Sequence, residues 1–358
     1  MAQIEAVARA ASALGWSADV VLTPAARHQP WVADMATAAE RVHFVEIDRR
    51  VRAARSLGAL IAAADRPIVL HTHHTGFDVP AALVARGRPD VAVLWHVRTS
   101  LNPQVQIRLQ NVVKFRFLSA PVARIVCVSS HLAEEVVRRG APRAKVVVYP
   151  NSIDGRRFPV VTAPEREQAR QELGLAPDAE VLLHFSWDWW VKGGDLLLRA
   201  VKHLVPSRAS QLVAVTVGDT EAARAASREL GLGDLVRALA ARPDVRPLYA
   251  AADVFVASSR AEGGGSPAAV LEALASGLPV VATRIPGHMR PPADIPVYRL
   301  ADLDAASIAR EIAYVLDNMG AMRSAARAAR EQLRTSLDID AWADGMCELY
   351  ADALHAGD

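Results

Sequence analysis

The sequence predicts an α/β protein with doubly wound parallel sheets, because short apolar runs alternate along the chain with segments of helical period. The runs are continuously apolar, which is typical of strands buried on both faces of a parallel sheet. They form two groups, so we expect two Rossmann-like domains. The predicted strands are ADVVLT, PIVLHTH, VAVLWHV, RIVCVSS and KVVVYP, followed by EVLLHFSW, QLVAVTVGD, DVFVASS and LPVVAT.

The domain boundary is predicted in NSIDGRRFPVVTAP, which is polar, then rich in proline, and without a regular period. Residues 1–157 would form the N-terminal domain and residues 158–337 the C-terminal domain. Residues 338–356 have the pattern of an amphipathic helix. The chain opens on a helical pattern, whereas a Rossmann-like domain ordinarily opens on a strand and a glycine-rich turn. We therefore expect the first strand of the N-terminal domain to be missing.

The composition narrows the classes of function. The chain has 358 residues, of which 51% are hydrophobic and 22% charged, as in a soluble globular protein. Its formal net charge of +2 gives no reason to expect a nucleic acid as partner. Two separated cysteines, Cys127 and Cys347, favour a reducing compartment over a disulfide framework. Since the sequence has neither a signal-peptide pattern nor an apolar stretch of roughly 18 residues, we expect a cytoplasmic protein.

The most informative segment is SSRAEGGGSPAAVLEALASGLPVVAT, residues 258–283. It predicts a strand, a glycine loop, a short helix that Ser266 caps and Gly277 ends, and a second strand. A helix N-terminus beside a glycine loop is suited to a phosphate group. Two carboxylates, Glu262 and Glu272, flank that place. Taken alone, the pattern is equally compatible with an ordinary strand–loop–helix unit.

This segment resembles the donor-site motif of the retaining GT-B glycosyltransferases of family 4. Other segments resemble the same family in the same order: IVCVSSHLAEEVVRRGAPRAKVVVYPNSIDGRRF, VKGGDLLLRAV, LYAAADVFVASSRAEGG and the helix Trp342–Tyr350. The resemblance implies a GT-B fold, with the two parallel sheets facing an interdomain cleft. It also implies that the helix of residues 338–356 packs back on the N-terminal domain.

The resemblance implies a function as well: retaining transfer of a sugar from a nucleotide-diphosphate sugar, with UDP or GDP as the nucleotide, to an acceptor hydroxyl. It implies neither a metal nor a further cofactor. The resemblance also suggests a carbohydrate or lipid-linked acceptor, in the synthesis of envelope polysaccharide or glycolipid. Domain closure would exclude water, and the protein would stabilise the charge that develops on the leaving diphosphate.

The resemblance also assigns roles on the donor side. Lys192 would bind the diphosphate, Glu272 the ribose hydroxyls, and Glu262 the donor sugar near its reacting carbon. Together with His96, Lys192 and Glu262 are the candidate catalytic residues. The remaining donor-binding candidates are Trp187, Gly264, Gly265, Ser266, Val270 and Leu271.

Two features of the donor side depart from the family pattern. Trp187 stands where the family usually has an arginine that helps to bind the diphosphate, and Arg98 or Arg290 would have to compensate. The acidic pair Glu262 and Glu272 is two residues more widely spaced than in the family, so the loop is larger or Glu262 is out of register.

The N-terminal half has its own candidates. By resemblance, His96 lies beside the reacting sugar, although a histidine satisfied at a strand end fits nearly as well. His73 and Arg98 are further acceptor-side candidates. The run HTHHTGFD suggests a metal site at first, but His71 and His73 point to one face of a strand and His74 to the other. Without a supporting carboxylate or cysteine, we expect no metal there.

The stretch QVQIRLQNVVKFRFLSA, residues 104–120, mixes basic and apolar side chains such as Arg108, Lys114 and Arg116. A basic amphipathic helix suits contact with an anionic membrane, here the inner face of the cytoplasmic membrane. The same pattern also fits a helix that packs on its own sheet while its basic side chains reach the solvent.

Two other classes of function stay open. A GT-B epimerase that changes the donor sugar without an acceptor would share the donor motif. A non-catalytic GT-B subunit would bind a nucleotide sugar or a partner enzyme, and Trp187 together with the short N-terminus supports it. An NAD-dependent dehydrogenase is disfavoured, since no GxGxxG follows a first strand.

Overall fold

The computed structural model describes residues 2–99, 101, 105–208, 210–263, 267–289 and 297–355, without the side chains of 105–108, 334 and 336. The chain forms two compact units. The first comprises Met1–Ser152, Gly263–Gly265 and Ile339–Asp358, and the second Ile153–Glu262 and Ser266–Asp338.

The first unit carries two parallel sheets. Its strands are β1 (Asp19–Leu22), β2 (Arg41–Phe44), β3 (Ile68–Thr72), β4 (Val91–Val97), β5 (Arg124–Cys127) and β6 (Val146–Val148). Strands β1 and β2 pair with each other, and the order of the second sheet is β3-β4-β5-β6. Its helices are α1 (Ala2–Ala13), α2 (Val32–Ala38), α3 (Arg50–Ala62), α4 (Thr75–Ala85), α5 (Val105–Phe117) and α6 (Ser130–Arg138).

The second unit is built on one parallel sheet of six strands. The strands are β7 (Glu180–Ser186), β8 (Leu212–Gly218), β9 (Val236–Leu239), β10 (Val254–Ala257), β11 (Val280–Thr283) and β12 (Tyr298–Ala301). Their order is β12-β11-β10-β7-β8-β9. The helices are α7 (Ala163–Glu172), α8 (Trp189–Lys192), α9 (Gly194–Arg208), α10 (Thr220–Leu230), α11 (Arg246–Ala251), α12 (Ala268–Ala275), α13 (Ala305–Asp317) and α14 (Met319–Ser336).

The predicted α/β class with parallel sheets is confirmed, and each of the nine predicted strands is present. Three further strands, β2, β9 and β12, were not predicted. Each lies at the edge of its sheet and is only partly buried. A strand at a sheet edge does not need the continuous apolar run by which the buried strands were recognised.

The last helix, α15 (Ile339–His355), belongs to the first unit. Its Trp342 indole donates a hydrogen bond to the carbonyl of Pro150 (2.7 Å), and the Tyr149 hydroxyl donates to the carbonyl of Trp342 (2.9 Å). Alternate residues of β4 pack into different cores: Val93 and Trp95 on one face, and Leu94 on the face that α15 and α1 cover. His96 has the same parity as Leu94, so it lies on the face covered by α15.

Residues 105–117 of the basic stretch form α5, which differs from the prediction at Lys114. This lysine is buried and forms an ion pair with Asp78, which is 2% exposed. Its ammonium group therefore does not reach the solvent, because it compensates a buried carboxylate. Among the described residues, no helix combines the length and the hydrophobicity needed to cross a bilayer.

Candidate functional site

The strand order of the second unit indicates where a ligand binds. From β7 the chain proceeds through β8 to β9 on one side of the sheet, and β10, β11 and β12 lie on the other. In such doubly wound sheets, ligands bind outside the carboxyl ends of the strands at the point where the order reverses. This point lies between β7 and β10, and the segments that follow these strands contain Trp187, Lys192 and Glu262.

Local backbone geometry positions Lys192 beside the end of β10. Asp188 caps the short helix α8 by accepting a hydrogen bond from the amide of Val191 (3.0 Å). Gly193 ends the helix with a φ of 69°, and a Cβ atom there would lie 2.0 Å from the carbonyl oxygen of Ser258. The Ser258 hydroxyl donates to the carbonyl of Gly193 (2.8 Å). The glycine after Lys192 is thus needed for close contact between two backbone segments.

Lys192 and Glu262 form an ion pair at this place. The Nζ atom lies 2.5 Å from Oε1 of Glu262, and both side chains are largely buried. The Ser259 hydroxyl donates to the same carboxylate oxygen (2.7 Å). The Trp187 ring, whose centroid lies 5.2 Å from Nζ, is 72% exposed. Because an ammonium group has three donors, Lys192 can bind a phosphate oxygen while it keeps its contact with Glu262.

Glu272 lies on α12 and is held by Tyr249, a residue that the sequence did not indicate. The Tyr249 hydroxyl lies 2.8 Å from Oε2 of Glu272 and 3.1 Å from the carbonyl oxygen of Ala269. Burial raises the pKa of Glu272, and the hydrogen bond from Tyr249 opposes that rise. Burial, with the charge of Glu272 as a second cause, raises the pKa of the tyrosine well above its ordinary value. The hydrogen bond from Tyr249 fixes the orientation of the Glu272 carboxylate.

The helix α12 differs from the prediction at its N-terminus. Pro267 is the N-cap residue and Ala268 the first helical residue, so the predicted capping by Ser266 is wrong. Because a proline has no side-chain oxygen, this N-cap residue makes no side-chain hydrogen bond to the first turn of the helix. Gly277 has a φ of 79° after the helix, which confirms its predicted role.

Val270 and Leu271, predicted as donor-binding residues, are each 1% exposed and pack in the core of the second unit. Their amides donate to the carbonyl of Pro267, at 2.9 and 3.1 Å. Their role in donor binding stays a prediction that this geometry does not favour. The candidates Gly264, Gly265, Ser266 and Arg290 lie outside the described residues.

Two buried histidines lie near the Lys192–Glu262 pair, and sequence reasoning missed both. Nδ1 of His184 lies 2.9 Å from the carbonyl oxygen of Val256, and Nδ1 of His288 lies 3.0 Å from that of Thr283. Burial lowers the pKa of His184 to about 4 and also lowers that of His288. Both imidazoles are therefore neutral near pH 7, and they add no positive charge beside the Lys192–Glu262 pair.

The N-terminal candidates form a second cluster in the first unit. The ring centroids of His71 and His73 are 4.0 Å apart, and His96 lies 5.2 Å from each. Nη1 of Arg98 lies 3.2 Å from Nδ1 of His73. His74 points elsewhere and accepts a hydrogen bond from the amide of Gly76 (3.1 Å) at the start of α4. The structure therefore brings His73, His96 and Arg98 together and adds His71.

This cluster has the composition of a metal site, since His71, His73 and His96 each offer a ring nitrogen within 4.8 Å of the others. Sequence reasoning missed the grouping because His96 comes from the neighbouring strand. Burial, and secondly the charge of Arg98, lowers the pKa of His71 to about 3. Burial also lowers the pKa values of His73 and His96 well below the ordinary value, so the imidazoles are neutral. The adjacent Arg98 charge opposes binding of a cation.

Family models match both halves of the chain. Residues 2–157 match the model described as Glycosyltransferase Family 4, and residues 179–318 match the one described as Glycosyl transferases group 1. The chain belongs to the GT-B glycosyltransferases of family 4. The family predicted from the donor motif is therefore confirmed.

The named relatives of this chain share a common description. The D-inositol 3-phosphate glycosyltransferase 2 of Catenulispora acidiphila is 34% identical over 46% of this chain and 40% of its own length. The D-inositol 3-phosphate glycosyltransferase of Thermomonospora curvata is 29% identical over 97% of this chain and 89% of its own length. The chain spans about two fifths of the length of the first three relatives.

Solved structures agree in fold. HepE from Anabaena, in complex with UDP and glucose, has a TM-score of 0.84 and 18% identity, covering 98% of this chain and 96% of its own. Sucrose-phosphate synthase from Thermosynechococcus elongatus has a TM-score of 0.78 and 19% identity, covering 98% and 92%. The prediction of a GT-B fold for this chain is therefore confirmed.

Proposed function

We propose that this chain transfers a sugar, with retention, from a nucleotide-diphosphate sugar to an acceptor hydroxyl. The observation that carries the proposal is the convergence of Lys192 and Glu262 where the strand order of the second unit reverses. A lysine there supplies positive charge to a diphosphate, and the neighbouring carboxylate can accept hydrogen bonds from sugar hydroxyls. The UDP complex of the Anabaena protein, which shares the fold, supports a nucleotide as ligand.

In the proposed reaction, the bond between the anomeric carbon and the diphosphate breaks and negative charge develops on the leaving phosphate. Lys192 stabilises that charge, so the proposed chemistry requires no metal. The acceptor hydroxyl attacks from the face that the diphosphate leaves, and the leaving phosphate takes the hydroxyl proton. Glu272, held by Tyr249, accepts hydrogen bonds from the two ribose hydroxyls. Trp187 offers an exposed ring face beside the same lysine.

A thermal-shift screen with UDP, GDP and ADP tests the donor site. We expect UDP or GDP to raise the melting temperature of the wild type, because a ligand that binds the folded state stabilises it. Glu272→Ala should weaken nucleotide binding about 10- to 100-fold, since a hydrogen bond to a charged group contributes about 1.5–3 kcal/mol. Tyr249 keeps the carbonyl of Ala269 as an acceptor, so the variant should fold.

The matched control is Glu229→Ala, which removes an exposed carboxylate from α10 of the same unit. It should keep the wild-type shift. If Glu272→Ala also kept that shift, our assignment of the ribose site would be wrong. Incubation with UDP-, GDP- and ADP-sugars then separates the alternatives: a changed sugar without an acceptor indicates an epimerase, and nucleotide binding without turnover indicates a non-catalytic subunit.

Two observations suggest different acceptors for the sugar. Membership of the family suggests an envelope polysaccharide or glycolipid, made at the inner membrane face. The names of the relatives suggest inositol 3-phosphate instead. The apolar face of α5 favours a membrane-linked acceptor: Leu109, Val113 and Phe117 follow at intervals of four residues and are 66%, 42% and 67% exposed.

We propose that this face of α5 contacts an anionic membrane, with the exposed Arg116 beside it. The double variant Leu109→Ser/Phe117→Ser should bind phosphatidylglycerol-containing vesicles at least tenfold more weakly than the wild type in co-sedimentation. The reason is that burial of one such side chain contributes about 1.5–3 kcal/mol. Leu14→Ser, which changes a leucine 63% exposed on the same unit, is the control. Equal sedimentation of the double variant and the wild type would refute the contact.

A further inference from the structure

Arg98 carries a charge that no acidic side chain among the described residues pairs with. Its guanidinium donates to three neutral groups: Nδ1 of His73 (3.2 Å), Oδ1 of Asn151 (3.1 Å) and the side-chain oxygen of Gln3. Burial lowers its pKa to about 10, so the group stays protonated at neutral pH. A partly buried cation with neutral partners has lost hydration without gaining a counter-charge, and an anion would supply one.

The contact with Arg98 determines the protonation of His73. A guanidinium has donors and no acceptor, so Nδ1 of His73 must accept the hydrogen bond. Since this imidazole is neutral, its proton is on Nε2. His73 therefore presents an N–H donor, and its one lone pair is already engaged by Arg98.

A second chain of hydrogen bonds determines the protonation of His96. The buried Tyr350 hydroxyl lies 2.5 Å from Nδ1 of His71, and Nε2 of His71 lies 3.1 Å from Nδ1 of His96. If the tyrosine donates, His71 donates onward and the proton of His96 is on Nε2. The opposite direction would leave the tyrosine O–H without this acceptor, at a cost of about 1–3 kcal/mol for an unmade buried hydrogen bond. The first direction is therefore favoured.

His96 is the deepest group of the cluster. It is 3% exposed, and its Nε2 has no hydrogen-bond partner among the described residues. Arg98 and His73 are partly exposed, so a ligand meets them first. Three donors thus belong to one cluster: the guanidinium of Arg98 and the Nε2–H groups of His73 and His96. A metal would need lone pairs at these nitrogens, whereas Arg98 and His71 already engage those of the two Nδ1 atoms.

We propose that Arg98, His73 and His96 form a binding site for an anionic oxygen group, a phosphate or a carboxylate, of the acceptor. Tyr350 acts through His71 as a positioning residue, because it directs the donor of His96 toward the ligand. The proposal rests on the transferase function proposed above. It specifies the acceptor class as anionic and assigns its recognition to residues of the first unit.

Calorimetric titration tests the site with inorganic phosphate and with inositol 3-phosphate, using inositol as the uncharged counterpart. We expect the wild type to bind inositol 3-phosphate at least tenfold more tightly than inositol, and Arg98→Gln to lose at least tenfold of that affinity. Arg88→Gln, which removes an exposed arginine from the same unit, should bind as the wild type does. Equal affinity of the wild type and Arg98→Gln for inositol 3-phosphate would overturn the proposal.

A UDP titration of the same variants identifies the source of the anion. If the bound anion belongs to the acceptor, Arg98→Gln should keep the wild-type dissociation constant for UDP within twofold. A tenfold loss of UDP affinity would instead assign the cluster to the donor phosphates and refute the acceptor role. If UDP binds and a sugar is transferred while phosphate and inositol 3-phosphate do not bind, the anion site alone is wrong. If the anions bind and no nucleotide does, the proposed transferase function fails and the anion site stands.

The tautomers provide a readout that does not depend on folding of the Arg98 variant. Nitrogen-15 NMR of the wild-type histidines should show His73 and His96 protonated on Nε2. In Tyr350→Phe the donor to His71 is lost, so the His96 proton should move to Nδ1 in part of the molecules and anion affinity should fall about threefold or more. A wild-type His96 protonated on Nδ1 would contradict the proposed direction of the chain.

Discussion

Lys192→Ala is expected to lower kcat of sugar transfer by about 10²–10³-fold, the loss found when one preorganised donor to a developing negative charge is removed. Nζ of Lys192 is largely buried and bound to Glu262 at 2.5 Å, so the protein holds it in place before the donor arrives. Removal of the ammonium group also leaves the Glu262 carboxylate without this partner, and two negative groups would then face each other when a diphosphate binds. The measurement is kcat and KM with the nucleotide sugar that the thermal-shift screen selects.

The control for this prediction is Lys202→Ala, which removes an exposed lysine from α9. It should leave both kinetic constants unchanged, as expected for a solvated surface charge. Lys192→Arg keeps the charge but changes the geometry, and it should retain more activity than Lys192→Ala. If Lys192→Ala folded normally and turned over the donor within threefold of the wild type, the leaving-group role of Lys192 would be refuted.

The placement of Lys192 and Glu262 could be predicted from sequence because their contacts are local or lie at strand ends. Lys192 and Glu262 follow β7 and β10, which are neighbours in the sheet. In a parallel sheet the residues after neighbouring strands meet at one edge, so an apolar run followed by a polar motif predicts both position and partner. The fold class was predictable for the same reason, since the central strands are continuously apolar.

The histidine cluster of the first unit could be predicted only in part, because its contacts join distant segments. His71 and Tyr350 are 279 positions apart, and their hydrogen bond depends on the return of α15 to the first unit. Local pattern carries no information about such a pairing. The prediction for Lys114 was wrong for a similar reason. A basic residue in an apolar helix suggests a solvated face, but Lys114 lies opposite the buried Asp78 and is itself buried.

Another long-range pairing concerns stability rather than the site. Asp253, just before β10, is 6% exposed and contacts three arginines: Nη2 of Arg166 at 2.5 Å, of Arg170 at 2.7 Å and of Arg323 at 2.6 Å. Oδ2 of Asp253, which contacts Arg170, also accepts a hydrogen bond from the amide of Val181 (2.9 Å) in β7. One carboxylate thus joins α7 and α14 to the two strands at which the sheet order reverses.

Asp253→Asn should reduce the free energy of unfolding of the second unit by about 3–5 kcal/mol, the cost of breaking a buried ion pair by removing one partner. Arg170 is 4% exposed, so its charge would remain in the interior without a counter-ion. Urea unfolding followed by circular dichroism should show the midpoint lowered by more than about 1 M, given typical denaturant slopes of about 1–3 kcal/mol per M. Asp244→Asn breaks the exposed pair with Arg246 and should change stability by less than about 0.5 kcal/mol. Equal midpoints for the two variants would mean that hydrogen bonding alone, which asparagine partly keeps, accounts for the role of Asp253.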